Sequence, residues 1–168
     1  MSLSAVACQK IDKASAKAPA GRKQSAVMAA LTIAQEERGW LSPETLREVA
    51  EYLEMPPVAV YEVASFYSMY HLKPTGRFVL TLCTNLPCAL QGADEAARHL
   101  QKTLKIGWNE TTEDGMFTLL QAECMGACQE APVLLTGHQR MCCKMKPPQI
   151  DALLTQLRAE AAKEERKG

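Results

Sequence analysis

Hydrophobic residues in the first half of the chain recur with the 3.6-residue period of an amphipathic helix. Val27, Ala30, Leu31 and Ala34 fall at i, i+3, i+4 and i+7. Leu46, Val49, Ala50 and Leu53 repeat that spacing, as do Val60, Val63, Ala64 and Tyr67. The punctuation agrees. Gly39 stops the first helix, Ser42-Pro43 supplies an N-cap and a first-turn proline for the second, and Pro56-Pro57 separates the second from the third. The pattern predicts helices over 23–38, 43–54 and 57–70, each with an apolar stripe suited to a core. His71 and Arg38 are isolated polar residues to which the pattern assigns no partner. The stretch ahead of residue 23 reads as a frayed terminus, in which Cys8 has no role.

After Lys73-Pro74-Thr75-Gly76 the period shortens. The run RFVLTLC, 77–83, is nearly all apolar, as expected of a strand covered on both faces. Residues 89–104 return to helix, with Ala93, Ala96, Ala97 and Leu100 on one face. Asp114-Gly115 is a turn leading into a strand over 116–120, and 132–136 forms a third strand. Gly137-His138 turns into a fourth strand, 139–142; Ile150, Leu153, Leu154 and Leu157 mark a last helix, and KEERKG reads as a solvated tail. The order β-α-β-β-β-α predicts a small α/β sandwich opening on a βαβ unit. The domains expected are a helical docking domain over 1–74, an α/β domain over 75–160 and a tail over 161–168.

Composition narrows the function. With 19 Lys+Arg against 19 Asp+Glu and only 5% aromatic residues, no nucleic-acid partner is expected. No apolar stretch approaches the roughly 20 residues of a membrane span, so no direct membrane insertion is expected. The opening MSLSAVACQKIDKASAK has no apolar h-region, which predicts no secretory signal and a cytoplasmic location. The chain contains no Ser-His-Asp set, paired carboxylates, G-x-G-x-x-G or P-loop, which leaves hydrolysis and nucleotide binding unsupported.

Seven cysteines are the informative surplus. An odd number without an export signal argues against a disulfide framework. Four of them form two close pairs. Cys83 and Cys88 make a C-x4-C where the first strand gives way to a helix, and Cys124 and Cys128 make a C-x3-C after the next strand. Both pairs are expected on loops at strand ends, which a layered fold gathers at one edge. Four thiolates there could hold zinc in a tetrahedral site or a two-iron cluster. C-x4-C occurs in plant-type ferredoxins, and a cluster is wide enough to use long loops. Gly126 allows the backbone to bend closely and offer amides to sulfur, while Pro87 stiffens the approach to Cys88. A dithiol catalyst is disfavoured because no C-x-x-C exists.

The stretches CTNLPC, ECMGAC-x-x-APV, GWLSPE and VASFYSMYHLKPTG carry a family resemblance. From about Ser25 to Leu157 the chain resembles the thioredoxin-like 2Fe-2S ferredoxin family, the two-iron ferredoxin subunits of NADH-quinone oxidoreductase (respiratory complex I). The resemblance implies a helical bundle followed by a thioredoxin-like ferredoxin domain. It also implies one 2Fe-2S cluster held by Cys83 and Cys88 on one iron and by Cys124 and Cys128 on the other. In that family FMN and NADH are bound by a partner subunit, whose reduced flavin gives single electrons to the cluster, off the main line to quinone. The N-terminal helices would dock on that flavin subunit and on the large iron–sulfur subunit, at the cytoplasmic face of the inner membrane. This chain would be an enzyme subunit without a complete active site of its own. Two alternatives follow: a diaphorase subunit of a soluble NAD-linked formate dehydrogenase or hydrogenase, and a structural four-cysteine zinc module.

Two features depart from the family pattern. Gln129-Glu130 stands where an uncharged pair is more usual, and a poorly screened carboxylate so close to a cluster should disfavour an added electron. Cys142-Cys143 lies outside the ligand pattern. Adjacent strand residues point to opposite faces, so one thiol is expected buried and the other exposed.

Overall fold

The computed structural model describes residues 3–19, 21–136 and 140–165, with Glu165 described by its backbone alone. The chain divides into two compact units, Met1–Pro74 and Thr75–Gly168.

The first unit is helical: α1 (Ala5–Ser15), α2 (Val27–Arg38), α3 (Pro43–Leu53) and α4 (Pro57–Phe66), with a 3-10 turn at Lys23–Ala26. The Ser42 side chain accepts from the Thr45 amide, and Pro43 takes the first turn of α3. Helix α1 overturns the frayed terminus. The Ser4 side chain accepts from the Ala7 amide, and Ala7 and Ile11 are buried. Two core positions one turn apart are too sparse to register as a period, yet they suffice once α2 and α3 supply a surface to bury them.

Arg38 and His71 have partners after all. The Arg38 guanidinium lies 2.6 Å from the Glu48 carboxylate and donates to Thr45 Oγ1 at 2.9 Å, tying α2 to α3. The His71 amide donates to Gln35 Oε1 at 2.6 Å, and its carbonyl accepts from the Leu41 amide at 2.8 Å. Gln35 Nε2 also donates to the Met69 carbonyl, and the Tyr70 hydroxyl donates to the Met28 carbonyl. These bonds to α2 take up the chain beyond Phe66, so α4 stops there rather than at residue 70.

Tyr52 on α3 anchors α1. Its hydroxyl donates to Asp12 Oδ1 at 2.8 Å and lies 3.3 Å from the Cys8 carbonyl oxygen. The Asp12 hydrogen bond first, then burial, pushes the phenol up to about 12 from its ordinary 10.0. A raised value means that the fold favours the neutral phenol. Its stabilisation is complete below pH 10.0 and is lost as pH rises towards about 12. Tyr52→Phe is expected to weaken the hold on α1 by about 1 kcal/mol at neutral pH. Amide exchange across α1 should then be faster than in the wild type, with the difference fading in strong alkali. Equal protection in both proteins would sink this assignment.

The second unit carries a sheet of order β2-β3-β1-β4-β5. Its strands are β1 (Phe78–Cys83), β2 (Glu110–Thr111), β3 (Phe117–Ala122), β4 (Leu134–Thr136) and β5 (Arg140–Cys142). β1 and β3 run parallel, with Phe78 opposite Phe117 and Cys83 opposite Ala122; the remaining pairs are antiparallel. The parallel pair with its crossover helix is the expected βαβ unit. β2 is an addition: two exposed residues with no alternation give the sequence nothing to show.

Helices α6 (Ala93–Leu104) and α7 (Pro147–Glu165) share one core with Leu80, Leu82, Phe117, Leu119 and Leu134. On the other face of β1, Val79 and Cys83 are buried too, in keeping with a run that is apolar but for Thr81. The helix expected over 89–104 is split: α5 (Leu86–Leu90) precedes it, and Gly92 with φ 99° makes the corner. α7 continues through most of the expected tail. Ala161 is 1% exposed, and Glu164 pairs with Arg77 at 2.7 Å. Residues 166–168 of that tail, the Gly137-His138 turn and Gln139 lie outside the described residues.

Candidate metal centre

Because β1 and β3 are parallel neighbours, the chain leaves both at the same edge of the sheet. Cys83 is the last residue of β1; its amide donates to the Val133 carbonyl at 3.0 Å. The next amide, Thr84, donates to the Ala122 carbonyl at the end of β3 at 2.9 Å. Asn85 Nδ2 then reaches Glu123 Oε2 at 2.6 Å, bridging the segment that carries the first thiol pair to the one that carries the second.

Cys88 does not sit on a loop. It lies on α5, with Pro87 in the first turn, where a missing amide costs nothing. Cys124 lies on the loop after β3, and Cys128 begins a short 3-10 turn, Cys128–Glu130. Cys124 and Cys128 bring their sulfurs to 3.3 Å, and the Gly126 amide stands 3.4 Å from Cys124 Sγ. Gly126 has φ 80°, a left-handed conformation that favours glycine, and it aims the amide at sulfur.

The two pairs differ in surroundings. Cys83 and Cys88 are each 2% exposed, in a small apolar cluster with Ala93 and Val133, and Met125, Ala127 and Ala131 pack against it. Cys124 and Cys128 are exposed. Burial pushes the Cys88 thiol up, and the adjacent Cys83 thiol adds to the effect. The Gly126 amide, with the Cys128 thiol, holds Cys124 below the usual thiol range, while Cys128 is pushed up by its hydrogen bond with Cys124. Cys83 acts electrostatically on Cys128, and Cys128 on Cys88, so the two pairs are neighbours.

Among the described residues, no three His, Cys, Asp or Glu side chains gather around one point to hold a lone metal ion. The thiols stand as two pairs, a set of four that either a two-iron cluster or a tetrahedral zinc ion could use. The chemistry fits as well: four soft donors, an amide aimed at sulfur and an apolar wall.

Sequence reasoning missed the supporting groups. Asn85 lies inside CTNLPC and Glu123 just before Cys124, but nothing in that stretch signals that they bond. Glu130 is ion-paired with Lys144 at 3.1 Å. Cys142 and Cys143 are both half-buried, in place of the expected buried and exposed pair. β5 ends at Cys142, which packs against the core, so strand alternation no longer governs Cys143.

The family model described as thioredoxin-like [2Fe-2S] ferredoxin matches residues 11–158. A Rhizobium meliloti protein, named as a subunit of NADH-quinone oxidoreductase, is 45% identical over 90% of this chain and 88% of its own length. The Thermus thermophilus NADH-quinone oxidoreductase subunit 2 is 38% identical over 92% of this chain and 86% of its own. Among solved structures, an NAD+-reducing [NiFe]-hydrogenase in its H2-reduced state aligns with TM-score 0.66 and 23% identity. That alignment covers 77% of this chain but only 22% of the hydrogenase chain, and it speaks to the fold alone.

Proposed function

The chain belongs to the thioredoxin-like [2Fe-2S] ferredoxin family, and we propose that it is the electron-transfer subunit of an NADH:quinone oxidoreductase, with Cys83, Cys88, Cys124 and Cys128 as the ligands of one 2Fe-2S cluster. The observation that carries the site is the arrival of two thiol pairs at one edge of the sheet, on segments leaving parallel, hydrogen-bonded strands. Relatives of that name, similar over nearly their full length, support the rest. The hydrogenase likeness concerns the fold, so the diaphorase reading gains no separate support from it.

When bound, such a cluster supplies storage for one electron, which lets a two-electron donor such as reduced flavin hand its electrons on singly. The chain's own residues do the rest. Cys83, Cys88, Cys124 and Cys128 would hold the cluster as thiolates, the first two on one iron and the last two on the other as the family resemblance implies. The Gly126 amide stabilises negative charge on Cys124 Sγ, while Ala93 and Val133 keep water from the inner pair. Leu86 and Leu90, 68% and 76% exposed on either side of Cys88, give α5 an apolar surface beside the site. In the first unit Val58, Tyr61 and Phe66 are also exposed along α4. These surfaces suit docking on the flavin-bearing and large iron–sulfur subunits of a multisubunit complex. No helix among the described residues is long and apolar enough to cross a membrane.

The test is metal content with EPR of anaerobically purified protein. About two irons per chain and a spin-half signal seen only after dithionite reduction are expected. About one zinc per chain and no signal would overturn the reading in favour of a structural site. Co-purification then identifies the complex: quinone-reducing membrane partners are expected, and molybdenum or nickel subunits would favour the soluble dehydrogenases.

A further inference from the structure

The turn that follows Cys128 is clamped by a residue distant in sequence. Glu130 lies two positions after Cys128, at the end of the 3-10 turn which that cysteine begins. The Lys144 amide donates to the Glu130 carbonyl at 2.8 Å, and Lys144 Nζ lies 3.1 Å from Glu130 Oε2. One residue on, the Met145 amide donates to the Pro132 carbonyl at 2.9 Å. Lys144 itself has φ 53°, in the left-handed region where glycine is the unstrained residue. The lysine therefore reaches Glu130 twice, through its backbone and through its charge.

We propose that Lys144 is a positioning residue for electron transfer: by holding and neutralising the Glu130 carboxylate, it keeps the centre at Cys128 readily reducible. This rests on the two-iron reading above. The electrostatics are elementary. Reduction takes one electron from the reductant and, with no bond made or broken, adds one unit of negative charge to the centre. A bare carboxylate two residues from a ligand opposes that charge, and an ammonium beside the carboxylate offsets the opposition. Both side chains keep contact with solvent, 71% exposed for Lys144 and 38% for Glu130, so the effect should weaken as salt screens it.

The experiment is a redox titration, followed by EPR, of the full chain carrying its cluster, with dithionite as reductant and the iron content of every variant checked first. Lys144→Gln is expected to lower the midpoint potential, and Glu130→Gln to raise it. The double variant Glu130→Gln/Lys144→Gln should return close to the wild type, and Lys144→Arg should match it. The Lys144→Gln shift should shrink at high ionic strength. Unchanged potentials in cluster-bearing variants would overturn the inference while leaving the two-iron reading intact. Shifts of the same sign in both single variants would also overturn it, because they would report a loop disturbance rather than charge. A wild-type chain without iron would overturn the underlying reading, and the inference with it.

Discussion

Changing any one of Cys83, Cys88, Cys124 or Cys128 to alanine should abolish the two-iron content and the visible absorption of the purified chain. Each iron of such a centre needs both sulfurs of its pair. Cys8 lies in the other unit, and Cys142 and Cys143 fall at and just beyond the end of β5. Single replacements of Cys8, Cys142 or Cys143 should therefore leave iron and spectrum intact. The four ligand variants should not lose their folds. Cys124 and Cys128 are exposed, and truncating Cys83 or Cys88 removes only one small buried atom group. Circular dichroism separates loss of metal from loss of fold. A ligand variant with full iron content and an unaltered spectrum would remove that cysteine from the site.

Phe117→Ala is expected to cost the second unit about 3–5 kcal/mol, the range for emptying a large aromatic site in a core. Phe117 is fully buried at the start of β3, pairs in register with Phe78 and has its ring centroid 6.0 Å from that of Phe78. The Arg158 guanidinium of α7 stands 5.0 Å from its ring centroid, so the truncation also removes a cation–π contact. A domain is stable by only about 5–15 kcal/mol, so the variant should unfold at much lower urea. β3 delivers Cys124 to the edge of the sheet, so iron retention in mild denaturant should fall with stability. Urea titration of the wild type and variant decides it, and a loss below about 1 kcal/mol would mean that the core closes over the gap.

Gly76 shows where pattern reading and packing part. In the sequence it belongs to a proline–glycine break between two halves. In the structure a Cβ there would stand 2.9 Å from the Phe117 carbonyl carbon, and the Gly76 amide donates to Thr118 Oγ1 at 2.6 Å. The residue is small because β3 crosses close to it, a fact that no local window contains. The same holds for α1, whose two buried positions mean little until α2 and α3 surround them.

Dense periodicity was enough to predict α2 and α3, and the buried faces of α6 and α7 though not where those two helices begin or end, because a stripe repeated over several turns has one geometry that buries it. The four candidate ligands were legible in the same way, because paired cysteines after successive strands carry their chemistry in their identity and spacing. Long-range packing was needed to set β1 and β3 side by side and parallel, which brings Cys83 and Cys124 to one edge. It likewise placed Cys88 on α5, buried one thiol pair while exposing the other, and laid Lys144 against Glu130. Those outcomes depend on contacts between residues far apart along the chain, and their energies come from strand pairing and burial that exist only once the sheet has formed.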